Sequence, residues 1–287
     1  MTEDLRGEMS ATFSAAKFWW RLVLVLWGCS LALAVTPHLW PGLGGGHAVA
    51  IASAVAGLLS FGARWRAEAR YQTAEGLRRH LLLTDALPDL PDQAEVAALR
   101  AQASAGPSSD PGPIGPYFTS GATKGRTRLL QNIEESAFYS THLARRTAHI
   151  CLAVLTLIIV GSGAVLYLGA VWDDPRTPLF ADAALTAVAT VVVGGLADLT
   201  RGYLSLARRA DDARLKAKQV DAGRQPTESE VLQAMVSYDA ALASATPIPG
   251  FVYARMRFRL DQVWSDRSKS AEPTSGVDGG PEITGSA

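Results

Sequence analysis

Adjacent glutamates, Glu134 and Glu135, five histidines and a scatter of arginines are the residues of this chain best equipped for chemistry. Two carboxylates can share a proton in acid–base work, but neighbouring helix positions point about 100° apart and do not face each other. The plainer expectation is one exposed glutamate and one paired with an arginine. The histidines are His38, His47, His80, His142 and His149, and none has an HExxH spacing. His142 and His149 share a helix face, yet the charges between them are arginines and not further ligands. "GATKGR" has lysine and glycine but lacks the strand, spacing and Ser/Thr of a phosphate-cradling loop, and no Gly-x-Ser-x-Gly elbow occurs. Cys29 and Cys151 lie inside apolar runs and read as small hydrophobes. The expectation is therefore a protein that is not an enzyme, with no cofactor and no metal.

The elements that carry these residues change solvent partway along. The helix "RLLQNIEESAFYSTHLARRTAHICLAVLTLIIVGSGAVLYL" starts charged and ends with no charge at all, and no proline interrupts it. A membrane helix needs about 20 mostly apolar residues. Four stretches qualify: Phe18 to Val35, Leu43 to Ala63, Ile150 to Val171 and Leu179 to Ala197. "TPHLWPG" joins the first pair and "WDDPRTP" the second, and links this short force antiparallel neighbours. A soluble bundle would need polar stripes that the third stretch lacks. The chain reads as an all-α integral membrane protein with four transmembrane helices in two hairpins. Long cytoplasmic helical extensions and a C-terminal cytoplasmic helical segment complete it.

Charge balance gives the orientation. The 27 basic and 27 acidic residues cancel, which argues against binding a nucleic acid polymer. Lysine and arginine are nearly absent from the two short links, while the segment from Arg64 to Arg146 holds eleven and that from Arg201 to Lys218 holds six. By the positive-inside rule both termini and the middle segment face the cytoplasm. Trp19, Trp20, Trp40, Trp65 and Trp172 fall near the interfaces, as an aromatic belt would.

The divisions that follow are a cytoplasmic N-terminus (1–17), a first transmembrane hairpin (18–63), and cytoplasmic helices with a Pro/Gly-rich loop (64–149). A second hairpin (150–197), a cytoplasmic helical region (198–264) and a disordered tail (265–287) complete the chain. The second span continues as a stalk to Pro88, with Glu75 and Arg79 spaced as an i, i+4 pair. The fourth continues to near Gly223. Leu129, Ile133, Ala137 and Leu143 fall near one face, so the stalks are expected to pack together. Thr227 and Glu230 form a capping box. The middles of the spans carry no charge, which speaks against an ion-coupled transporter. Their small residues, among them Gly57, Ser60, Gly161, Gly163, Gly194 and Gly195, permit close helix packing, a pore or a homo-oligomer, or equally are mere filler.

Three segments carry a resemblance: "PYFTS", the "LLQNIEESAFYSTHL" that follows, and "YDAALASATPIPGFVYARMRFRLDQVW" with Tyr238, Pro247, Pro249, Tyr253, Arg257 and Trp264. Over most of residues 18 to 264 the chain resembles the SMODS-associated four-transmembrane pore-forming effectors of bacterial antiphage defence. The resemblance implies an effector, partnered by a nucleotide synthase or its cyclic oligonucleotide product, that damages the lipid bilayer it sits in. It makes Arg126, Arg128, Asn132, Glu135, Arg145 and Arg146 the candidate ligand or signal contacts. The positive-inside rule accounts for the arginines equally well and is the favoured account. The rival reading is a non-pore scaffold whose cytoplasmic helices bind another protein.

Overall fold

A computed structural model describes residues 2–39, 46–87, 93–103, 117–171, 177–193, 195–223, 225–243 and 245–271. These form eight helices and, among the described residues, no strand: α1 (Thr2–Leu39), α2 (Gly46–Ala86), α3 (Gln93–Gln102), α4 (Arg126–Val171), α5 (Thr177–Val193), α6 (Leu196–Gly223), α7 (Glu228–Ala243) and α8 (Gly250–Ala271). The chain is all-helical, and α1, α2 and α4 are each long and apolar enough to cross a membrane. At 1.5 Å per residue the 46 residues of α4 reach about 69 Å, twice what a bilayer core requires. A bilayer would cover about half of such a helix, and the sequence puts its charges in the other half.

α1 and α2 pack antiparallel along their length. Leu5 and Met9 share a cluster with Leu77 and Leu81, the Phe13 ring meets Tyr71 edge-on, and Trp20 and Val23 pack on Ala63 and Ala67. Farther along, Ser30 and Ser53 donate their hydroxyls to each other's carbonyls, both at 3.0 Å. That exchange satisfies two polar side chains inside an apolar stretch and ties the two helices together.

α4 packs along α6 through small side chains. Ala207, Ala210, Ala213 and Ala217 are at most 2% exposed and recur every three or four residues, so α6 offers a flat seam to Leu130, Ile133, Ala137 and Ala144 of α4. Leu129, Ile133 and Ala137 enter this main core, as their spacing predicts. Leu143 is also buried, but in a separate cluster with Phe138, Val252 and Leu260 of α8. Burying a leucine of this kind stabilises by about 2 kcal/mol, and this core supplies most of what holds the charged half together.

Three boundaries differ from expectation. α6 does not continue the fourth apolar stretch: Gly195 has φ +84°, a left-handed conformation that ends α5 before Leu196 restarts the helix. α8 runs on to Ala271, beyond the Trp264 where the sequence pattern closes it, while 272–287 lie outside the described residues. Finally, α5 has 17 residues with an apolar stretch at Pro178–Thr190, shorter than a bilayer core requires, so it does not join α1, α2 and α4 as a helix long and apolar enough to span.

Candidate functional site

The charged half of α4 is encircled by polar contacts that reach far along the chain, and most of the candidate ligand residues are part of them. Arg128 donates Nε and Nη2 to the two oxygens of Asp85, at 2.8 and 2.9 Å, and Nη1 to the Ala122 carbonyl at 3.0 Å. The Asn132 amide donates to the same carboxylate at 2.7 Å. Burial works to raise the Asp85 carboxyl, but the hydrogen bonds from Arg128 and Asn132 outweigh it and hold the group below its ordinary value. Asp85 ends α2, and the Gly125 amide donates to the Ala86 carbonyl beside it at 2.9 Å. Gly125 has φ +144°, which a side chain would strain, so a glycine serves where the strap turns into α4.

One turn on, the two glutamates part company. Glu135 is buried and accepts from the Thr119 amide and hydroxyl, both at 2.9 Å, while the Trp264 indole N–H donates to that same hydroxyl at 2.8 Å. Desolvation raises the Glu135 carboxyl, and the two Thr119 bonds oppose it. Glu134 pairs with Arg267 of α8; burial raises its carboxyl and the Arg267 charge opposes. So neither glutamate is exposed, contrary to the expectation for one of them. The strap 117–125 is stitched to α4 and α8 together, with Phe118 sunk into the main core. Tyr139 completes the run by donating to Asp261 at 2.7 Å.

A second node lies where α2 meets α7. Glu75 pairs with Arg78, at 3.4 Å, and not with Arg79, which turns to Glu95 and Asp239. The helix spacing allows either neighbour, and the acids on α3 and α7 decide the matter. Tyr238 is buried, which pushes its phenol up to about 12 while the Arg78 charge pulls the other way. Among the described residues, Arg78 Nε and the Tyr238 hydroxyl oxygen are buried without a hydrogen-bond partner. Apolar parts of both residues line a cavity of about 10 Å³, together with Glu75, Arg79, Asp239 and apolar side chains. That is room for one water and far too little for a nucleotide.

The remaining candidates are more scattered. Arg126 reaches Glu228 at 3.3 Å, and Arg145 lies 3.8 Å from Asp211. Arg146 is exposed and, among the described residues, forms no ion pair. The structure thus joins Arg128 and Asn132 through Asp85, and places Glu135 a turn away, but Arg145 and Arg146 lie farther up α4. Asp85 and Arg78 were not singled out by sequence, while Thr119 and Tyr238 lie in the segments that carry the resemblance without a role being assigned to them; only the Asp85 position at a helix end, before a proline-bounded link, hints at a capping role. Of the packing residues, a Cβ on Gly57 would sit 3.8 Å from the Ser30 hydroxyl, and Ser60 donates to the Gly57 carbonyl at 2.7 Å. Gly161 and Gly163 face open space, Gly195 serves the break before α6, and Gly194 lies outside the described residues.

Chemically the girdle is a set of ion pairs and charge-assisted hydrogen bonds. Among the described residues no three His, Cys, Asp or Glu side chains converge as metal ligands. What the arrangement can do is couple: strap, α2, α7 and α8 are all fastened to one helix that runs unbroken into an apolar stretch. Compared with protein families, curated proteins and solved structures, the chain finds no match.

Proposed function

We propose that the chain is an inner-membrane effector whose cytoplasmic head controls four spans, α1, α2, α4 and α5, paired as two hairpins with both termini in the cytoplasm. On activation the spans assemble with those of other copies and permeabilise the membrane, in a defence response governed by a nucleotide second messenger. The observation that carries this reading is α4 itself. It passes without a break from the polar girdle into its apolar stretch, and only 6% of the most apolar window there is buried by protein. Lipid must cover so bare a helix at rest, and other copies can replace that lipid, with Gly161 and Gly163 open to close approach.

The girdle suits a switch because its acids already neutralise its cations. A phosphate ligand binding Arg128 would have to displace Asp85 and so loosen the end of α2. The test is co-expression with the activating synthase while membrane potential is followed by a voltage-sensitive dye. Collapse of the potential supports the reading, and an intact potential under full activation overturns it. A scaffold that binds another protein is the second reading. It draws on α7, where Leu232 and Val236 are 52% and 65% exposed one turn apart. A stoichiometric partner without toxicity would favour it.

A further inference from the structure

α8 lies antiparallel to the charged half of α4. Glu134 meets Arg267, Tyr139 meets Asp261, and Ile150 shares an apolar cluster with Ile248 and Val252. Ile150 is where α4 becomes apolar, so the first turn of α8 stands at the membrane boundary. The same level is marked from α1. A Cβ on Gly250 would lie 3.5 Å from Arg21 Nη2 and 3.7 Å from Lys17 Cδ, and the Lys17 ammonium sits 5.5 Å over the Tyr253 ring. Both cations flank Phe18, where the apolar stretch of α1 begins.

On α8 itself the charge there is one-sided. Between Gly250 and Leu260 there is no acid. Phe251 is 58% exposed, and Arg21 and Arg255 are exposed with no ion pair among the described residues. An exposed phenylalanine beside Arg21 and Arg255 suits neither bulk water nor the bilayer core. It suits the headgroup layer, where rings enter the acyl boundary and cations meet lipid phosphates. We propose that Lys17, Arg21, Phe251, Tyr253 and Arg255 form a collar that binds the phosphates of anionic phospholipid in the inner leaflet. The collar rests on the membrane placement of α1 and α4, and not on the permeabilising role.

Depth gives the collar an edge. Arg255 lies about 8 Å along α8 from Gly250, at the outer edge of the headgroup layer, whereas Arg259 lies about 14 Å along, beyond it. A cation near an anionic surface contributes about fivefold in affinity and loses it over a Debye length.

The test titrates the full chain in detergent with phosphatidylglycerol and with phosphatidylcholine, and native mass spectrometry counts bound lipid. The wild type should prefer phosphatidylglycerol. Lys17→Gln/Arg21→Gln/Arg255→Gln should weaken that binding roughly a hundredfold, Arg259→Gln less than twofold, and Arg255→Lys hardly at all, which separates charge from folding. Inorganic phosphate should not compete. Equal affinity for the two lipids, an unaffected triple variant, or full competition by phosphate would overturn the collar while leaving the membrane placement intact. A chain that remained monodisperse without detergent would overturn both.

Discussion

Removing the Asp85 carboxylate should unfasten the girdle where α2 ends. In Asp85→Ala, Arg128 loses two hydrogen bonds and Asn132 loses one, all between 2.7 and 2.9 Å. The Arg128 and Asp85 side chains are 18% and 29% exposed, so the cation left behind is only partly hydrated. Stranding a fully buried charge costs about 3–5 kcal/mol. Partial exposure lowers this to about 2–3 kcal/mol. For a chain of this size that corresponds to a drop of about 5–10 °C in Tm. Thermal unfolding in detergent, followed by circular dichroism, reads it directly. A cycle with Arg128→Ala and the double variant should show a coupling of about 1–2 kcal/mol. Because the Asp85 carboxyl is held below its ordinary value, its contribution is complete above the unfolded pKa and is lost as pH falls through the folded one. The variant and wild type should therefore differ fully at neutral pH and converge in acid. A Tm within about 2 °C of wild type, or purely additive single effects, would refute the reasoning.

Three further outcomes follow from individual contacts. Glu135 has the opposite sign from Asp85: burial raises it, so it binds its proton more readily folded than unfolded, and its contribution falls as pH rises from the unfolded pKa through the folded one. Glu135→Gln keeps an acceptor for Thr119 and should flatten that part of the stability profile measured by thermal melts; an unchanged profile would count against the buried placement. Tyr203→Phe removes the 2.8 Å bond to the Pro247 carbonyl and should cost about 1 kcal/mol by the same melts, with proteolysis after Ala245 becoming faster. Ser30→Ala and Ser53→Ala each break the reciprocal exchange between α1 and α2; each should cost about 0.6–1.7 kcal/mol in lipid, and the double variant less than the sum.

Much of the helical frame is legible in the sequence because its signals are local. The passage of α4 from charge to grease, the stop of α2 before Pro88, and the capping box all depend on near neighbours. The box forms as the pattern suggests, the Thr227 amide and hydroxyl donating to Glu230 at 2.9 and 2.6 Å. The break at Gly195 also had a local signal, a Gly-Gly pair inside an apolar run, which reads equally well as helix packing. The girdle is different. Thr119 is fixed by Glu135 and by Trp264, which lies 145 residues away, and no local spacing reports such a pairing. Arg78 and Arg79 are equivalent by helix spacing, and only the packing of α3 and α7 against α2 separates their partners.

The membrane placement with its sidedness supports everything else, and cysteine accessibility tests it most directly. In a chain with Cys29 and Cys151 replaced, single cysteines at His47, Thr177, Lys124 and Gln225 are exposed to a membrane-impermeant maleimide on spheroplasts. The account predicts labelling at 47 and 177 in intact spheroplasts, and at 124 and 225 only after lysis. Labelling of 124 or 225 from outside, or protection of 177 until lysis, would contradict it.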